Sequence, residues 1–227
     1  MVSENLSNRW APITRHRFLF LFLFLLATLI FYPYAEASRF GYYGFRVIGS
    51  AAILVSVYAA KFRRNLLVLA LVLAIPAVFH HILISKAHLN SFWISNTVLS
   101  FIFDVVVVVV IFRHIFTGDR PTSETIFGAL CIYLLVGFSF ASVYGMVASF
   151  QPNAFYLNPT TNLHTIPDRF DFIYYSFGTI TSLGSAGIIP VSSQARSITI
   201  LEAILGILYL AVLIARLMGA YRGNPKN

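Results

Sequence analysis

The sequence predicts an all-α membrane protein: six transmembrane helices, with a short re-entrant helix and loop between the fifth and the sixth. Three observations carry this. Of 227 residues, 58% are hydrophobic and 11% charged, and such an apolar surface has only lipid to cover it. Runs of the roughly 20 apolar residues that a bilayer crossing needs can be drawn six times, near 17–35, 41–60, 65–85, 93–112, 125–150 and 196–220. Between the last two lies DFIYYSFGTITSLGSAGIIP, residues 171–190. Its apolar part is too short to span, and it dissolves into a Thr/Ser/Gly/Ala run.

The first span has a basic flank at Arg15 and Arg17 and a Phe/Leu core. It reads as a membrane helix rather than a secretory signal, because the core is long and a small-residue cleavage site is met only by Ala35-Glu36-Ala37. The formal net charge of +8 invites a nucleic-acid partner, but its distribution does not. If the six spans alternate, Arg9, Arg15, Arg17, Lys61, Arg63, Arg64, Arg113, Arg120, Arg216, Arg222 and Lys226 fall on one side, and Arg39, Arg46, Lys86, Arg169 and Arg196 on or near the other. Excess cations mark the cytoplasmic face. The expectation is a multi-pass protein of the cell membrane with both termini in the cytoplasm, in contact with membrane lipid and not with nucleic acid. Cys131 is the single cysteine, which excludes an intrachain disulfide and suggests no metal or redox motif.

Tight links make the first four spans an antiparallel bundle. The linker 117–124, TGDRPTSE, carries turn residues and places Thr122 or Ser123 to cap the fifth helix. It divides the chain into a four-helix module, 1–120, and a second module, 121–227. The fourth span, WISNTVLSFIFDVVVVVVIF, holds no cation, so it lacks the regularly spaced arginines that gating charge requires. Its valine run is helical in lipid, where every backbone group must bond internally. Asp104 lies near mid-membrane and calls for a partner; Arg46, His80 and His81 occupy the same half. Such a cluster is either a structural tie or a pH-responsive switch built on histidine titration. The fifth span carries Gly128, Ala129, Gly137, Ser139, Ala141, Ser142 and Gly145, small residues that allow close helix approach.

The polar stretch 151–168 reads as an outer loop. Asp168, with Asp171 three residues later, starts a helix with negative charge at the positive end of its dipole. Residues 170–181 would rise about 18 Å at 1.5 Å per residue, half a bilayer. The non-helical exit must then be buried or line water.

The segment 171–184, DFIYYSFGTITSLG, resembles the pore helix and filter entry of the tetrameric potassium channel superfamily. The likeness is to small bacterial channels with two transmembrane helices per pore domain, here with four extra N-terminal helices. Their pattern runs approximately DxxYFSxxTxTTLGYGDxxP. Asp171, Tyr174, Tyr175, Ser176, Thr179, Thr181, Leu183, Gly184 and Pro190 fit it, and Ser182 stands at the filter threonine. The last span, ARSITILEAILGILYLAVLIARLMGAY, is similar to the inner helix of these channels. The resemblance covers roughly 100 residues from Glu124 onward. It implies a homotetramer whose filter and conduction residues are Thr181, Ser182, Leu183, Gly184, Ser185, Ala186 and Gly187.

This filter departs from the family. Where the family continues with Tyr, Gly and Asp, the chain has Ser185, Ala186 and Gly187; an insertion with a compensating deletion would instead make Gly187 the second glycine. In the family, rings of backbone carbonyls replace the hydration shell of potassium. A left-handed alanine at 186 would cost about 1–2 kcal/mol per subunit. The expected filter is shorter or wider, permeable to monovalent cations (K+ or Na+), with weakened or changed potassium selectivity. No carboxylate lies between Phe172 and Leu201, which disfavours a calcium-type filter. The negative end of the pore helix disfavours anions.

In the last span Gly206 is a bend or a close-packing point. Leu210, Leu213 and Leu217 either line an apolar gate or face other helices. Glu202 reads as a structural support behind the filter. No acid, base and nucleophile converge, so no enzyme and no cofactor are expected. A carrier would show paired broken helices in two repeated halves, and only one half has one. The remaining alternative is a channel-like sensor or scaffold that does not conduct.

Overall fold

The computed structural model describes residues 17–37, 55, 90–116, 122–162, 164–184 and 187–222. The predicted spans 41–60 and 65–85, apart from Val55, lie outside the described residues, as do Arg46, His80, His81, Ser185 and Ala186. The described chain is mostly helical: α1 (Arg17–Ala37), α2 (Asn90–Phe116), α3 (Ser123–Phe150), β1 (Phe155–Leu157), α4 (Arg169–Ile180), β2 (Ile188–Pro190) and α5 (Ser193–Arg222). Three stretches are long and apolar enough to cross a membrane, Thr97–Ile115, Ser123–Phe150 and Ser193–Met218; Arg17–Phe31 is apolar but shorter. These are the helices of an all-α membrane protein.

Local chemistry sets the helix starts and keeps polar groups bonded. Thr122 caps α3, its Oγ1 accepting the Thr125 N–H at 3.3 Å. Within α1 and α3 the hydroxyls of Thr28, Ser139, Ser142 and Ser149 each donate to the carbonyl four residues earlier, so no hydroxyl proton among them is left facing hydrocarbon.

The chain divides into two compact units. Of the described residues, the first holds α1, α2 from Val106 and α3 to Ile132. Its core is Phe18, Leu21, Leu25, Val107, Ile111, Ile115, Ala129, Cys131 and Ile132. Gly128 permits the approach of α2 and α3, since a β-carbon there would stand 2.8 Å from Ile115 Cδ1. Buried Arg17 donates to His114 Nε2 at 2.6 Å and lies 3.5 Å from the Glu124 carboxylate. Its guanidinium sits over the Phe18 ring.

The second unit holds α2 to Val105, α3 from Tyr133, both strands, α4 and α5. The strands pair antiparallel in the register Phe155↔Pro190, Tyr156↔Ile189, Leu157↔Ile188. This ribbon is not foreshadowed in the sequence, because three-residue strands show no alternation long enough to detect. It places the outer loop directly against the chain that leaves the exit of α4.

Candidate functional site

The short helix α4 begins as its acidic spacing requires. Asp168 is extended (φ −102°, ψ −174°), and its Oδ1 accepts the N–H groups of Phe170 and Asp171 at 2.7 and 3.0 Å. Asp171 returns the bond, accepting the Asp168 N–H at 2.8 Å. Three N–H donors at the helix start are thereby satisfied, and two carboxylates face the positive end of the dipole. His164 Nε2 lies 2.7 Å from the same Asp171 oxygen and ties the outer loop to the cap. Helix α4 starts one residue earlier than expected and has 12 residues.

The last four carbonyls of a helix have no partner within it; in α4 all four are taken. Phe177 O accepts from Thr181 N at 3.2 Å and Thr181 Oγ1 at 2.6 Å. Gly178 O accepts from Gly184 N at 3.0 Å, and Thr179 O from Ser182 N at 3.0 Å. Ile180 O accepts from the Tyr133 hydroxyl at 3.0 Å. The exit loop curls back over the helix end, through left-handed Ser182 (φ 59°) and Gly184 (φ 82°). At Ser182 that conformation costs about 1–2 kcal/mol; at Gly184 it costs little. Thr181, Ser182, Leu183 and Gly184 are all exposed on the single chain, Leu183 at 80%. Four of the seven predicted filter residues thus stand together at the C-terminal end of α4.

Gly187 sits differently. Its carbonyl accepts from Asn158 N at 3.0 Å and from Asn162 Nδ2 at 2.7 Å, which occupies both lone pairs. It extends the β1–β2 ribbon and serves the outer loop.

Behind α4 lies a buried polar knot. Glu202 of α5 is 0% exposed, and Ser176 and Tyr144 are equally buried. The Tyr144 hydroxyl donates to Glu202 Oε2. Ser176 Oγ lies 2.5 Å from Glu202 Oε1 and 2.7 Å from the Gly137 carbonyl. Beside it the Tyr175 hydroxyl meets Thr199 Oγ1 at 2.7 Å. The rings of Tyr144, Phe155, Phe172 and Tyr175 meet edge to face with centroids 4.9–5.6 Å apart.

Glycines bring the long helices onto α4. A β-carbon at Gly137 would stand 2.8 Å from the Phe177 ring, and one at Gly206 would stand 2.5 Å from the Ile180 carbonyl oxygen. Of the two readings of Gly206, close packing has a direct contact behind it. Leu210 is 40% exposed on the single chain, and Leu213 and Leu217 are half-buried. Among the described residues, Arg169, the first of α4, is a cation near enough for its charge to act on Asp104; the partners expected for Asp104 lie outside the described residues. Reasoning from sequence missed Tyr133, Tyr144 and Asn162. Each reaches a partner at least 25 residues away, and no local pattern announces such a bond.

A 12-residue helix, capped at both ends and clasped by two helices long and apolar enough to cross a membrane, presents an exposed Thr-Ser-Leu-Gly exit. Residues 127–222 match a protein family described as "Ion channel". They are similar to ion channels. The match runs from the first turns of α3 to the end of α5, and so includes α4, its exit and the knot behind it. It supports a membrane protein with a channel-like, ion-conducting function. No curated protein and no solved structure matches the chain.

Proposed function

We propose that the chain is the subunit of a homotetrameric, potassium-channel-like cation channel of the cell membrane. In this reading it has six spans, cytoplasmic termini, a peripheral module at 1–120 and a pore module at 121–227. The observation that carries the proposal is the exit of α4. Thr181, Ser182, Leu183 and Gly184 stand exposed at the negative end of a capped half-helix, where a cation is favoured.

Helix α5 supports the tetramer. Ile200, Ile204, Ile207, Leu208, Val212 and Ile214 are each 48–60% exposed on the single chain, and four symmetric copies would cover such a helix and close a path around one axis.

The filter TSLGSAG then conducts through its first four residues. The anchoring of Gly187 by Asn158 and Asn162 supports the alignment without an insertion, in which Gly187 stands at the family's acidic position and Ala186 at its second glycine. Fewer carbonyl rings than the family uses, completed by Ser182 and Ser185 hydroxyls and water, give monovalent permeation with weakened potassium selectivity. Leu210, Leu213 and Leu217 form the apolar gate, with Gly206 above it held against the end of α4. Asp104, with Arg46, His80 and His81, forms the polar cluster of the N-terminal module.

Purified protein in liposomes should pass potassium and sodium under imposed gradients and exclude chloride, with reversal potentials assigning the preference. Silence toward all three ions over a broad pH range would sink the proposal in favour of a non-conducting sensor or scaffold.

A further inference from the structure

The knot behind α4 fixes a protonation state by its geometry. Ser176 Oγ stands 2.7 Å from the Gly137 carbonyl and 2.5 Å from Glu202 Oε1. At these separations two oxygens repel unless a proton lies between them. A serine hydroxyl owns one proton, and a backbone carbonyl owns none. The proton toward Gly137 must therefore be the serine's own. The proton between Ser176 and Glu202 must then come from the acid. Tyr144 supplies the bond to the other oxygen, Oε2. Counted this way, every short contact holds one proton: Tyr144 O–H to Glu202 Oε2, Glu202 Oε1–H to Ser176 Oγ, and Ser176 O–H to Gly137 O. With an ionised carboxylate, one contact is left empty.

The surroundings agree. Glu202 is 0% exposed, and among the described residues no arginine, lysine or histidine forms an ion pair with it. The titratable groups facing it are phenols: Tyr144 and Tyr133 from α3, and Tyr175 from α4. An isolated carboxylate in such a place is strongly disfavoured against the neutral acid. The chain of three bonds also joins the three helices of the site, since Gly137 and Tyr144 belong to α3, Ser176 to α4 and Glu202 to α5.

We propose that Glu202 is held as the neutral acid and that its proton is a positioning element, docking α4, and with it the exit loop, onto α3 and α5. The part concerning conduction rests on the channel reading above; the protonation state does not. Loss of the proton in alkaline solution puts a negative charge where no cation among the described residues pairs with it and leaves one oxygen pair unbridged. The dock loosens and the exit loses its fixed position.

Two readouts test this, and they fail separately. In infrared difference spectra of the full chain at neutral pH, Glu202→Gln should remove a protonated-carboxyl C=O band above amide I, and Ser176→Ala should shift it. In wild-type protein the same band should bleach as pH rises. A carboxylate band in place of the carboxyl band at neutral pH would overturn the proposal. In liposomes, Glu202→Gln keeps the bonding pattern, its NH2 donating to Ser176 and its oxygen accepting from Tyr144, but cannot lose a proton. Wild-type flux should decline in alkaline solution; in this variant flux should persist and the decline should be absent. An alkaline decline that survives in Glu202→Gln would overturn the positioning role. A wild type silent in flux yet showing the band would remove the channel reading while supporting the protonated acid.

Discussion

Asp168 carries the start of α4 on one side chain, accepting two backbone N–H groups with its Oδ1. Asp168→Ala removes both bonds and should lower stability by about 0.5–2 kcal/mol. Asp168→Asn keeps an acceptor oxygen and should recover most of the loss. Thermal unfolding in detergent reads both; equal losses in the two variants would show that charge, not capping, holds this end. The cap was legible in the sequence because it is local: two acids three residues apart, after a proline, before an aromatic run. At the other end of α4, Gly206 was legible as a glycine but not as a contact, since its neighbour, the Ile180 carbonyl, lies 26 positions back in the chain. Gly206→Ala places a methyl group 2.5 Å from that oxygen, a backbone atom that cannot swing aside. The expected loss is about 1–3 kcal/mol, as for an overfilled core, with reduced flux. Native stability in Gly206→Ala would instead assign this glycine to bending.

At the scale of the element, the Ile180 carbonyl is a junction of three helices: it ends α4, accepts from Tyr133 of α3 and touches Gly206 of α5. Tyr133→Phe removes the donor and should cost about 0.5–1.5 kcal/mol. Groups that share a partner are not additive. Once the hydroxyl is gone the end of α4 can move away from α5, so the double variant with Gly206→Ala should lose less than the two single losses summed. Strict additivity in a thermal or denaturant cycle would show that the two contacts are independent. Elements were legible in proportion to their length. α3 and α5 announce themselves by apolar runs of spanning length, and α4 by a run too short to span. The β1–β2 ribbon was silent, because three pairs are too few to show an alternation, and the bonds of Asn158 and Asn162 to Gly187 that continue it cross at least 25 positions. Glu202 was legible as an acid out of place. Its partners Tyr144 and Ser176, 58 and 26 positions away, were not.

For the molecule as a whole, the scaffold of the site and the chemistry of its exit point in different directions. Residues 127–222 are similar to ion channels, yet in the proposed alignment Ser185, Ala186 and Gly187 stand where the family the sequence resembles has the tyrosine, glycine and acid that complete its filter. The ribbon constrains the chain beyond the exit: with Gly187 bonded into the outer loop, two residues, Ser185 and Ala186, join it to Gly184 at the end of α4. In the proposed tetramer, selectivity would rest on whether this two-residue bridge turns its carbonyls toward the axis. Ser185→Tyr with Ala186→Gly and Gly187→Asp restores a bracing ring, a residue free to adopt positive φ and a charge at the mouth. A β-carbon at 187 would meet the Asn162 amide at 3.3 Å, close enough to require that flexible side chain to shift. The triple variant in liposomes should therefore show a higher potassium-to-sodium permeability ratio than wild type, read from reversal potentials under bi-ionic gradients. Ala186→Gly alone should recover part of the change, because glycine adopts positive φ freely while the brace and the charge stay absent. A ratio that stays at the wild-type value in both variants would place the discrimination among ions in Thr181, Ser182, Leu183 and Gly184, and Ser182→Thr would then be the substitution that moves it.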